Sequence, residues 1–156
     1  MKLLLMSLIL LFSFSSFALP QNVKLTGIFV SNLGGRNGVS VSMKLKMQDA
    51  EKANYAGKLN FVRQGVKSTQ DFEFTINTLK NKSEGIANTF DGYIAFDSKS
   101  AFTLKVGQKL QLGYSQWQYN NDHICNPNHE NFCPPTDISD RIIDEGVLTL
   151  TVVQTK

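Results

Sequence analysis

The 156-residue sequence has two cysteines, two histidines, one tryptophan and four prolines. So few thiols exclude a disulfide-dense scaffold, and two histidines outside any G-x-S-x-G context give no serine-hydrolase triad. Charge is sparse as well: 19% of residues are charged, the formal net charge is +3, and no like-charged tail occurs. No basic stripe carries interleaved aromatics either, so no nucleic-acid partner is expected. The nearest approach to a phosphate loop, Gly34-Gly35-Arg36-Asn37-Gly38, lies between two strand-like segments, where a hairpin turn accounts for it.

Long apolar runs are equally scarce. Leu3 to Phe14 follows Lys2 and precedes Ser16-Phe17-Ala18, the pattern of a positive n-region, an apolar core and a small-x-small cleavage site. Residues 1–18 read as a signal peptide cut after Ala18, leaving residues 19–156 as one domain; a retained anchor is the alternative. The run is shorter than the roughly 20 residues of a membrane span, and no second one follows. The expected product is exported, periplasmic or extracellular, without stable membrane insertion after signal cleavage. At that length it needs neither a metal nor a disulfide framework to fold.

What the chain does have is period-two alternation. Val39 to Met47 places five apolar residues at odd positions and four polar ones at even positions, the signature of a half-buried strand. Val23, Leu25 and Phe29 alternate likewise, and the intervening Gly34-Gly35 suits a hairpin that pairs the two segments antiparallel. Further strands are expected at Lys58–Arg63, Asp71–Thr78, Tyr93–Phe96, Phe102–Val106, Lys109–Tyr119 and Val147–Gln154, with one helical turn at Asp49–Ala56. The predicted fold is all-β: a single-domain antiparallel β-sandwich or small β-barrel of about seven to eight strands, with one long disulfide-braced loop before the last strand. An outer-membrane barrel would also alternate. Short strands and the polar ending Gln154-Thr155-Lys156 speak against it.

The unusual segment is 120–145, which holds both cysteines, both histidines and three of the four prolines. Loops beyond about 12–15 residues in compact domains are often functional. Its spacing, His123-x-Cys125-x3-His129-x3-Cys133, offers four ligands to tetrahedral Zn²⁺. Export instead favours a Cys125–Cys133 disulfide, worth about 2.5 kcal/mol in the chain-entropy model. The imidazoles would then remain for Zn²⁺ or Cu²⁺. Acids in the same segment, among them Asp122, Asp137 and Asp140, form an oxygen-rich set for weak Ca²⁺ binding, without an EF-hand register. A solvated loop with no cofactor is the simpler alternative.

Next to this loop, Trp117 and Tyr119 alternate with the apolar Leu110, Leu112 and Tyr114. They form a polar-aromatic surface for a sugar ring or a protein partner, unless a bulge near Ser115-Gln116 turns Trp117 into the core. The functional expectation is a non-enzymatic binding module of inhibitor or adhesion type, monomeric or weakly associated. It would present Trp117, Tyr119 and the loop residues Asn126, His129 and Phe132 to an exported or cell-surface protein or glycan. A metal-binding protein using His123, His129 and the nearby acids is the alternative, and a small glycan-active enzyme with paired carboxylates a further one. Charge divides along the same line: residues 120–145 carry six acids and one base, so the remaining mature chain is strongly basic.

Overall fold

The computed structural model describes residues 18–63, 65–119 and 140–156. Eight antiparallel strands form a closed barrel in which each strand pairs with its sequence neighbours and the last returns to the first. They are β1 (Asn22–Ser31), β2 (Arg36–Gln48), β3 (Lys52–Arg63), β4 (Val66–Asn77), β5 (Lys82–Asn88), β6 (Gly92–Ser98), β7 (Lys109–Gln118) and β8 (Arg141–Thr155). Of the two predicted all-β architectures, the barrel is the one formed.

The alternation seen in the sequence sorts residues to the two sides of this wall. Inward positions of β2, Val39, Val41, Met43 and Leu45, are buried, and the outward Ser40, Ser42, Lys44 and Lys46 are exposed. The core is a column of rings and aliphatic side chains inside the barrel. Phe72 lies 5.7 Å from Phe96, Phe96 lies 5.9 Å from Phe29, and Phe74 stacks on Phe102 at 6.4 Å. Each such ring buries a large apolar area and gains further from edge or offset contacts. A barrel facing lipid needs the opposite polarity, apolar outside and polar within. Six of the eight strands exceed nine residues, so strand length does not distinguish the two cases and polarity does.

One end is closed. The connection from β6 to β7 turns Phe102 and Leu104 inward, where both are buried, and Leu104 takes a φ of 56° to do so. This stretch was expected to be a strand, but it folds as a plug because an inward-turned residue at positive φ cannot continue a ladder. Fully buried Ser83 holds it, donating to the Ser100 carbonyl at 2.7 Å and accepting from the Phe102 N–H at 3.4 Å. The predicted helical turn at Asp49–Ala56 is likewise replaced. Asp49 accepts from the Glu51 and Lys52 N–H groups at 2.8 and 2.7 Å, closing a tight turn. From Lys52 onward the chain is strand β3, because Ala53 and Tyr55 have an inward face to fill.

Strand β5 leaves no apolar trace in the sequence because its inward residues, Ser83, Gly85 and Ala87, are small. The space is already taken: a Cβ on Gly85 would sit 3.1 Å from the rings of both Phe72 and Phe74.

Tyr55 sits near the closed end, 2% exposed, and donates to the Pro20 carbonyl at 2.9 Å. Burial pushes its hydroxyl pKa up from 10.0 to about 12. The native state therefore holds this proton more tightly than the unfolded chain. The resulting stability is complete below pH 10 and is lost as pH rises toward 12, by about 2–3 kcal/mol. Urea titrations from pH 8 to 11.5 should show a steeper alkaline decline for wild type than for Tyr55→Phe. Parallel declines would remove Tyr55 from the account.

Candidate functional site

Among the described residues nothing caps the other end. The turns β1–β2, β3–β4 and β5–β6 surround it, and the chain leaves β7 and enters β8 there. Inside this mouth is a cavity of about 720 Å³, within the size range of small-molecule sites. Its apolar wall comes from Phe29, Phe61, Ile94 and Tyr114, with Phe96 beneath them against Phe29. Phe29 organises the wall: its ring meets Tyr114 edge-on at 4.9 Å and Phe61 at 6.3 Å. These residues point inward for the same reason the core residues do, since Phe29 continues the β1 alternation and Tyr114 that of β7.

The rim is polar and braced. Asp144, at the start of β8, accepts from the Ser31 hydroxyl at 2.7 Å, the Tyr114 hydroxyl at 3.0 Å and the Glu145 N–H at 2.8 Å. One carboxylate thus ties β1, β7 and β8 together at the lip, where charge-assisted bonds are stronger than neutral ones. Gly146 makes the brace possible. It faces Tyr114 across the ladder, and a Cβ there would lie 2.0 Å from the Val30 carbonyl oxygen and 2.9 Å from the Tyr114 ring. Across the mouth, Asp91 accepts from the Gln118 amide at 3.1 Å, and Gln118 in turn accepts from Arg141 at 2.8 Å.

Three apolar side chains stand in the lip without a core to fill. Leu33 in the β1–β2 turn is mostly exposed, Phe90 in the β5–β6 turn fully so, and Ile143 partly; all three line the cavity entrance. Polar turn residues would cost less there, which makes the lip a candidate contact surface.

Two predicted binding residues fall beside this mouth. Trp117 pairs with Tyr93 across β6 and β7 and stacks on it at 5.9 Å with 12° between the planes. Tyr119 is exposed, lies 6.0 Å from Tyr93 and donates its N–H to the Asp91 carbonyl at 2.8 Å. The bulge considered for this strand does occur, between Gln116 and Trp117. It does not carry the indole into the core: Trp117 is half-buried on the outer wall, on the same side as Tyr93. Asp140 of the metal candidates stands just ahead of β8. Asp122, His123, Cys125, Asn126, His129, Phe132, Cys133 and Asp137 lie outside the described residues, and with them the disulfide and the metal set. Among the described residues no three of His, Cys, Asp and Glu converge as a metal site would require.

The alternation of Phe29 and Tyr114 marks them as inward-facing but carries no sign that they line an opening. The available signal was Leu33 and Phe90, apolar residues in turns that no core explains. No family model, curated protein or solved structure matches the chain.

Proposed function

We propose that the protein is an exported, non-enzymatic binding module that takes a small, largely apolar molecule with one polar end into the mouth of the barrel. The carrying observation is the cavity itself: an apolar wall of Phe29, Phe61, Ile94 and Tyr114 below a polar rim of Ser31, Asp91 and Asp144. Eight-stranded barrels have just enough interior to be filled by side chains or to hold one small ligand. Here the closed end is filled, and among the described residues the mouth is not. Fold alone does not supply a function; the weight rests on the wall, the rim and the exposed lip.

Export rests on the leader pattern, and the barrel is compatible with cleavage after Ala18. Leu19 packs against the core, Pro20 accepts from Tyr55, and the Gln21 carbonyl accepts from the Leu45 N–H at 2.8 Å, so every one of these contacts survives the cut. The strip Tyr93–Trp117–Tyr119 lies beside the mouth and is the part of the site that suits a protein edge or a sugar face. Asp144 is a cross-brace in this reading. Three donors already engage it, which makes it a poor proton shuttle for glycan chemistry.

A solvatochromic apolar probe such as N-phenyl-1-naphthylamine should brighten on titration into the protein and raise the melting midpoint as native-state binding requires. Asn37→Trp puts an indole into the cavity opposite Phe29, since the two residues pair across β1 and β2. That variant should keep the native circular dichroism and lose most of the probe signal. A folded variant that brightens the probe as well as wild type would sink the mouth as the binding site.

A further inference from the structure

The basic excess of the body is not spread evenly over the wall. The closed-end segments 46–52, 78–82 and 99–109 contain seven lysines against two acids, whereas the mouth-end segments 31–36, 63–66, 88–92 and 140–145 contain three arginines against four acids. The barrel therefore has a strongly basic closed end, whereas the described mouth-end segments carry slightly more acid than base.

The same closed end exposes three large apolar residues, one in or beside each connection: Met47 at 54%, Leu79 at 70% and Val106 at 62%. Each is chain-adjacent to a lysine, as Lys46-Met47, Leu79-Lys80 and Lys105-Val106. The three connections form one connected surface. The Glu51 carbonyl accepts from the Thr78 N–H at 2.8 Å and the Thr78 hydroxyl at 3.0 Å, and the Asn81 side chain accepts from the Ala101 N–H at 3.0 Å. Core packing does not account for these three side chains, because Phe102 and Leu104 already seal the interior behind them.

We infer that the closed end is a docking surface for an anionic lipid bilayer. Apolar tips ringed by lysines combine the two terms that hold a protein at a membrane surface, burial of apolar area at the headgroup boundary and attraction to anionic lipid. A polyanion such as nucleic acid would use the lysines but gives Met47, Leu79 and Val106 nothing to enter. Each lysine near an anionic surface adds about fivefold to affinity at low salt, and the attraction is screened over roughly 8 Å at physiological ionic strength. Docked in this way, the barrel directs its mouth away from the bilayer. This inference stands whether or not the mouth binds a small molecule.

The test uses the chain from Leu19, which keeps all eight strands and removes the apolar leader as a competing cause of binding. Sedimentation with vesicles of phosphatidylcholine alone, and with an equal mixture of phosphatidylcholine and phosphatidylglycerol, should show at least tenfold tighter binding to the mixture. Binding should weaken in ~0.5 M NaCl. Met47→Ser/Leu79→Ser/Val106→Ser, all at exposed positions, should leave the melting midpoint unchanged and reduce binding at least tenfold, and Lys80→Glu/Lys99→Glu should do the same. The single tryptophan reports orientation, because Trp117 lies at the mouth end: brominated lipid should leave its emission unquenched. Equal binding to both vesicle types, undiminished binding by the serine variant, or strong quenching of Trp117 would each overturn the assignment. Duplex DNA binding that matches vesicle binding and is unaffected by the serine changes would overturn it in favour of a polyanion site.

Discussion

Phe96→Ala should be among the most damaging single substitutions in the barrel, lowering stability by about 4 kcal/mol. Phe96 is 2% exposed and its ring meets Phe29 at 5.9 Å and Phe72 at 5.7 Å. It is the boundary between the packed lower half and the mouth. Removing the ring deletes its transfer free energy and leaves a void that the stiff wall cannot collapse to fill. For a domain of this length the melting midpoint should fall by roughly 10–15 °C. The void also continues the mouth cavity downward, so the variant should bind a longer apolar ligand than wild type and regain part of its midpoint when saturated with it. A midpoint within about 3 °C of wild type would show that the ring column is not what holds the barrel shut.

The second large effect comes from glycines that close the wall. Gly27 in β1 and Gly57 in β3 occupy inward positions where a Cβ would lie 1.9 Å from the backbone oxygens of Thr149 and Ser42 respectively. Neither collision can be relieved by rotating a side chain, because the obstacle is the neighbouring strand. Glycine kinks of this kind let strands coil tightly enough to close a small barrel. Gly27→Ala and Gly57→Ala should each cost about 3 kcal/mol, at the upper end for overpacking, with the two costs adding if the strands yield independently. Gly38→Ala is the control, since nothing lies within 4 Å of its would-be Cβ. Chemical denaturation of the three variants checks the order. A Gly57→Ala variant as stable as Gly38→Ala would mean that the wall flexes where it is expected to be rigid.

Much of this architecture was legible in the sequence, and the illegible parts have physical reasons. Strands β1, β2, β7 and β8 announce themselves because large apolar residues alternate with polar ones on a wall wet on one side. Strand β5 does not, because Ser83, Gly85 and Ala87 must be small to admit Phe72 and Phe74, a constraint that comes from strands elsewhere in the chain. The plug at Phe102–Leu104 looks like a strand for the opposite reason: its apolar side chains are needed inward, but to seal an end and not to extend a wall. The mouth was invisible because a cavity wall and a core wall have the same residues. Only the apolar turn residues Leu33 and Phe90 distinguish them, and a turn residue gives no hint of what it faces. Asp144 was visible as one acid among six; its bracing role depends on Ser31, which lies 113 positions away.

The next-neighbour order of the strands also determines how the molecule must be assembled. Seven of the eight pairings join strands consecutive in sequence, whereas the β1–β8 seam spans nearly the whole chain. The loop-closure cost is thereby concentrated in one step. Until that step the sheet is an open ribbon with two bare edges, and one of them, Gly146 to Thr155, is ten residues long without a single charge. Such an edge is a template for pairing with another chain. The seam is therefore the point at which newly made chains choose between a sealed barrel and an aggregate, and its rate of closure relative to encounter sets the yield.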